Sequence, residues 1–333
     1  VLANVFNVSI QSFSDIVDLE SLEDLKPESG SPSELIDQGI QSLRAGDNGQ
    51  AFAVFERAIE ILHDDDSIEG QRSELLGFAR VNQGAALCRL GKLALAEQEL
   101  RNALRKPELL TPQLRVRALV TLANIHADQG DSFLGEMEAD RAYELARDEE
   151  LDRLAAKAVH TLARVLADQG QFARAIQRFR EAAKLYAETG ESYEAIRVRI
   201  MIGSCYVNLS KTREGIRLLR ESMNDARANG HRRLESYAWC NLGEAYYRQT
   251  DRQRARACFR ESDALAMYNN EKQTDILFLN AFYEWKMAAE EENPTREKIA
   301  FGRLKVLRSN LERKFPEVEI FDDFVERGRH HAL

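Results

Sequence analysis

Proline is scarce, with six in 333 residues. They are Pro27, Pro32, Pro107, Pro112, Pro294 and Pro316, so none lies between Pro112 and Pro294. A proline ring collides with the preceding helical turn and lacks the amide N–H that a helix interior needs. Its absence over that span permits an uninterrupted series of helices. Cysteine is scarce too. Cys88, Cys205, Cys240 and Cys258 are scattered over three repeats with no C-x-x-C pair. They read as small buried hydrophobes in a reducing compartment. No apolar run reaches the length of a membrane span, and the first residues lack the charged-then-apolar pattern of a signal peptide. The expected location is therefore cytoplasmic, with no membrane contact. Excess positive charge is also missing. Against 46 Lys and Arg stand 55 Asp and Glu, a net charge of −9. A surface of that balance is not expected to hold nucleic acid.

Catalytic patterns are lacking as well. His63, His126, His160, His231, His330 and His331 show no H-E-x-x-H spacing, and there is no G-x-S-x-G, phosphate-binding loop or G-x-G-x-x-G. The run Asp64-Asp65-Asp66 lacks the spacing and glycine of a calcium loop, so a solvated turn is expected. His330-His331 reads as a frayed terminus. The expectation is a protein that is not an enzyme and carries no cofactor or metal.

What is present is repetition. Trp239, Leu242 and Tyr246 stand at i, i+3 and i+7 and share one helical face. Gly243 lies among them, where a missing Cβ lets a second helix approach. Ala255 and Phe259 follow on that second helix. Sliding this pattern along the chain places the small residue at Gly39, Gly84, Ala123, Ala163, Gly203 and Gly243, in steps of 45, 39, 40, 40 and 40. A turn column reads Gly46, Gly91, Gly130, Gly170, Ser210 and Thr250. On the second helix a small column reads Ala51, Ala96, Gly135, Ala175, Gly215 and Ala255, and a large one reads Phe55, Leu100, Ala139, Phe179, Leu219 and Phe259. A helical hairpin with one apolar face must stack on its neighbours to bury that face.

The run from Trp239 to Tyr246, with Ala255 and Phe259, is similar to the tetratricopeptide signature W-x2-L-G-x2-Y…A-x3-F. The period exceeds the usual value of about 34. Long-period repeats of this kind resemble those of peptide-sensing bacterial regulators of the Rap and PlcR type, over about residues 31–270. The predicted fold is all-α: a right-handed superhelical solenoid of about six hairpins, with a C-terminal helical cap. Three regions are expected: N-terminal helices and a linker over 1–30, repeats over 31–270, and a capping region over 271–333. Residues 1–20 resemble either the last two helices of a Cro/C1-type helix-turn-helix domain or an ordinary capping pair. On the first alternative the DNA-reading helix lies upstream, and DNA is met only through that upstream domain. Helices are expected over 272–290, from about Thr295 to Arg313, and from Pro316 through Phe324.

The resemblance also implies a ligand. In such stacks the second, fifth, ninth, twelfth and thirteenth positions of each repeat line a concave groove. Carried onto this sequence, they give Arg117, Val120 and Asn124, then Lys157, His160, Arg164 and Asp168. The next repeats give Arg197, Ile200, Ser204 and Asn208, then Tyr237, Cys240, Glu244, Tyr247 and Arg248. The first two repeats are apolar there, with Ile36, Ile40, Leu43, Phe78 and Val81. The candidate peptide contacts are Arg117, Asn124, Lys157, His160, Arg164, Arg197, Asn208, Tyr247 and Arg248. Arg and Asn suit the carboxylates and backbone of an extended peptide. Lys157, His160, Arg164 and Arg197 are expected to form a cationic patch, partly offset by Asp168, and His160 to strengthen anion binding at low pH. Glu244 is expected to be exposed. The resemblance implies a short peptide or protein partner in the groove and a homodimer through the repeats. Two functions follow: a peptide-binding sensor domain of a bacterial transcription regulator, or a scaffold with no link to DNA.

Overall fold

The computed structural model describes residues 19–64, 69–107, 110–267, 273–311 and 315–330. Most of the stretch 1–20 that carries the helix-turn-helix resemblance, and most of the Asp64–Asp66 run, lie outside them, as does His331. No strand occurs among the described residues. After a short 3-10 turn at Glu23–Leu25, fifteen α-helices follow among the described residues. They are α1 (Pro32–Ala45), α2 (Asn48–Asp64), α3 (Glu69–Arg89), α4 (Leu93–Leu104), α5 (Pro112–Asp128), α6 (Ser132–Asp148), α7 (Asp152–Asp168) and α8 (Phe172–Glu188). Then come α9 (Ser192–Asn208), α10 (Thr212–Ala228), α11 (Arg232–Arg248), α12 (Arg252–Ala266), α13 (Thr274–Glu290), α14 (Pro294–Arg308) and α15 (Pro316–His330).

The prolines mark helix starts. Pro32, Pro112, Pro294 and Pro316 are each the first residue of a helix, where no intrahelical N–H is needed. Ser31 and Glu34 cap each other's backbone N–H ahead of α1, a capping box that satisfies two otherwise orphan donors. The turn column is confirmed. Gly46 to Gly170 all have positive φ, and so do Ser210 and Thr250, at 61° and 60°.

The chain forms two compact units. The first comprises Val1–His126 and Met137–Leu154. In it α1 pairs with α2 and α3 with α4. Gly39 faces Phe55 and Gly84 faces Leu100, so closely that an added Cβ would fall 2.7 Å from either side chain. Phe55, Leu87, Leu100, Leu122 and Ile125 are fully buried. Burial of this kind stabilises by about 1.5–3 kcal/mol per large apolar side chain. Ile36, Leu43 and Val81, expected in the groove, belong to this core. Lys26 lies 2.9 Å from each of Glu23, Glu56 and Glu60 and ties the preceding segment to α2.

The second unit comprises Ala127–Glu136 and Ala155–Leu333. Here α9 pairs with α10, α11 with α12 and α13 with α14. The small and large columns meet again: Gly203 faces Leu219 and Gly243 faces the Phe259 ring. The pair α13–α14 is one hairpin beyond the six expected. Its first helix carries buried Phe278, Phe282, Tyr283 and Trp285. Phe321 of α15 covers them, edge-on to Phe278 at 5.8 Å and to Trp285 at 6.1 Å. Helix α14 stops at Arg308, short of the predicted Arg313. Ser309 and Asn310 turn their side chains back onto the Val306 carbonyl, a local bond that competes with helix propagation.

Candidate functional site

The candidate residues occupy the first helix of successive pairs. Position six of α5, α7, α9 and α11 holds Arg117, Lys157, Arg197 and Tyr237. Position thirteen holds Asn124, Arg164, Ser204 and Glu244, and position seventeen holds Asp128, Asp168, Asn208 and Arg248.

In the first unit, Arg117 donates to Asn82 Oδ1 at 2.6 Å, which joins α5 to α3. Burial, with Arg89 nearby, holds its guanidinium below the usual arginine range. Asn124 donates to the Val120 carbonyl one turn back, at 2.9 Å.

In the second unit the positions touch one another across helices. Arg197 of α9 reaches His160 Nδ1 of α7 at 3.2 Å. Arg248 of α11 donates to Asn208 Oδ1 of α9 at 2.9 Å. Tyr247 donates to Glu290 of α13 at 2.5 Å, and burial with that carboxylate pushes its hydroxyl up to about 12. These bonds link the first helices of four successive pairs into one polar wall.

The wall is not the free cationic patch that the residue types suggested. Arg164 pairs with Asp128 at 3.0 Å and with Asp168 at 3.5 Å, and its side chain is only 14% exposed. Arg197 also lies 2.8 Å from Glu194. His160 is buried and sits edge-on to Phe179 and Tyr186. The Tyr186 hydroxyl lies 3.2 Å from His160 Nδ1. Burial, then the positive charges of Arg197 and Arg164, hold the imidazole well below its usual range. His160 is thus a neutral acceptor, not a cation. Lys157 is exposed and makes no ion pair among the described residues. Glu244, expected to be exposed, is held against Arg248 at 2.8 Å with its side chain 14% exposed.

Residue spacing alone missed three partners: Asp128, Glu194 and Glu290. Asp128 and Glu290 stand 36 and 43 residues from the groups they bind. Both close a helix at position seventeen, and that shared register was the available signal. Cys205 and Cys240 are buried, and burial raises both thiols, so neither is a nucleophile at neutral pH. Among the described residues no group of three His, Cys, Asp or Glu is placed to hold a metal ion. No helix among them is long and apolar enough to cross a membrane.

The class of protein follows from this geometry. Residues 236–266 match the family model described as Tetratricopeptide repeat. The chain has the fold of a Rap protein complexed with Competence and Sporulation Factor, with a TM-score of 0.60 at 13% identity, covering 90% of this chain and 92% of that one. It has the fold of NprR in complex with its cognate peptide NprX, with a TM-score of 0.57 at 15% identity, covering 82% and 81%. It also resembles BtubC (BKLC) from P. vanneervenii, with a TM-score of 0.54 at 18% identity, covering 64% and 89%. No curated protein matches the chain. The fold is therefore a stack of tetratricopeptide-type hairpins, and its structural neighbours include the peptide-sensing Rap and NprR proteins.

Proposed function

We propose that this chain is the sensor part of a cytoplasmic transcription regulator, that it acts by binding rather than catalysis, and that it takes a short extended peptide along the first helices of its hairpins. The observation that carries this reading is the wall across α7, α9, α11 and α13. Its side chains run from helix to helix at 2.5–3.2 Å. Such a wall is ordered before any ligand arrives, and prior order reduces the entropy cost of binding. The neighbours with bound peptides support the choice of ligand. Lys157 offers a free ammonium to a ligand carboxylate, while Arg197 and Arg248 offer donors already oriented by His160 and Asn208. Arg164 acts by placing Asp128, and Tyr247 contributes its ring. Arg117 and Asn124 are assigned the same role in the first unit. DNA contact is assigned to a domain upstream of the repeats.

The test is a thermal-shift screen of the chain against pooled random heptapeptides. A pool containing a ligand at 100 times its Kd stabilises the fold by about 2.7 kcal/mol. That shift should shrink in Lys157→Glu and Arg197→Ala. If no pool shifts the wild type, and a folded protein partner is captured instead, the chain is a scaffold and the reading fails.

A further inference from the structure

The place directly after the large apolar column holds arginine in four repeats, as Arg101, Arg180, Arg220 and Arg260, and Glu56 and Asp140 fill the other two. In the first unit Arg101 of α4 lies 3.2 Å from His126 Nε2 of α5. Glu97, one turn back on α4, completes the set. It lies 2.7 Å from Arg101 and 3.4 Å from the same imidazole nitrogen. That guanidinium finds its carboxylate within the fold.

In the second unit the arginine recurs without the acid. Arg180 of α8 donates to the Tyr206 hydroxyl of α9 at 2.6 Å, and Arg220 of α10 to the Tyr246 hydroxyl of α11 at 2.5 Å. Tyr206 and Tyr246 stand where His126 stands in the first unit, three residues after the small column. The place of Glu97, four residues before the arginine, holds Ile176, Ile216 and Arg256. A neutral hydroxyl orients a guanidinium and leaves its charge uncompensated. Arg180, Arg220 and Arg260 are exposed, and none pairs with a carboxylate among the described residues. The acids next to the first two, Glu181 and Glu221, lie 3.1 Å from Arg178 and 3.5 Å from Arg217 instead.

We propose that α8, α10 and α12 dock an acidic segment of a partner protein, whose Asp or Glu side chains take at Arg180 and Arg220 the place that Glu97 takes at Arg101. Arg260 extends the row by one hairpin. The row lies on the second helices, so the proposal does not depend on a peptide along the first ones. A carboxylate suits the fork of a guanidinium whose orientation is already fixed. Charge complementarity also favours protein over nucleic acid. A phosphate backbone is negative throughout and would run along Glu181, Glu221 and Glu261, each the residue after an arginine of the row. A protein segment can set acids on the arginines and donors on the glutamates.

The experiment is fluorescence polarisation of a labelled deca-glutamate peptide titrated with the full chain at low salt, beside a labelled oligothymidylate of equal length. Wild type should bind the peptide more tightly than the oligonucleotide, and added salt should weaken the binding. Arg180→Gln with Arg220→Gln should weaken it by at least about tenfold. Arg178→Gln with Arg217→Gln removes the same charge from guanidiniums already paired and should weaken it by less than about threefold. Ile216→Glu keeps every arginine and restores the acid one turn before Arg220, so it too should weaken binding. Circular dichroism checks that each variant is folded. Absence of peptide binding by wild type overturns the proposal, as does tighter binding of the oligonucleotide. Equal losses from the two arginine pairs also overturn it, since bulk charge would then account for the binding.

Discussion

Arg197 and His160 are 37 residues apart in sequence and meet at 3.2 Å, an arginine bonded to a buried imidazole. The contact requires His160 to be neutral, since Nδ1 must accept. It fixes the sign of a pH effect opposite to the one that a surface histidine would give.

Burial and two neighbouring arginines lower the folded-state pKa of His160 far below its ordinary 6.5. Above that value the folded and unfolded chains are both neutral here, and the site costs nothing. As pH falls through the unfolded pKa, the unfolded chain takes up a proton that the fold refuses, so stability drops. His160→Gln should remove that part of the loss. Urea midpoints at about pH 7.5 and about pH 5.5 should fall further apart in wild type than in the variant. Equal losses would place the titration elsewhere.

The Phe259 ring lies over the Gly243 backbone, where an added Cβ would collide with it. Phe259 cannot retreat, because it stacks on Tyr283 at 5.7 Å. Gly243→Leu should therefore cost about 1–3 kcal/mol through overpacking. Gly243→Ala should cost less, and Phe259→Leu added to it should recover part of the loss, a coupling that a double-mutant cycle measures. Equal melting temperatures for Gly243→Leu and wild type would contradict the register.

Thr250 holds φ at 60° in the turn after α11, a region that branched side chains disfavour. Four other turns in that column use glycine. Thr250→Gly should raise stability by about 0.5–1 kcal/mol, strain relief outweighing the added freedom of the unfolded chain. Chemical denaturation checks the sign, and a lower midpoint would show that the turn is not strained.

Phe321 is 2% exposed and touches Phe278, Trp285 and Phe301. Phe321→Ala should cost about 3–5 kcal/mol. Removal of residues 272–333 should bare the end of α11–α12 and cause aggregation. A soluble, fully helical truncation would contradict the covering role of these helices.

The hairpin register could be read from the chain because it depends on side-chain volume at fixed spacing. Gly39 with Phe55 and Gly243 with Phe259 are sixteen residues apart, and volume alone predicts their contact. Ser210 and Thr250 were legible as turns only because they fill a column of glycines. The state of the wall was not legible. Whether Arg164 is free depends on Asp128 at the end of another helix, and whether His160 is charged depends on Phe179 and Tyr186 around it. The pair α13–α14 escaped the pattern because aromatic residues replace the small-residue column there.

Hydrogen exchange with and without a heptapeptide taken from the thermal-shift screen tests the central claim most directly. The peptide should slow exchange of amides in α7, α9 and α11, and Arg197→Ala should abolish that protection while leaving the free protein's exchange outside the wall unchanged. Protection confined to the second helices of the pairs, α8, α10 and α12, would contradict the account.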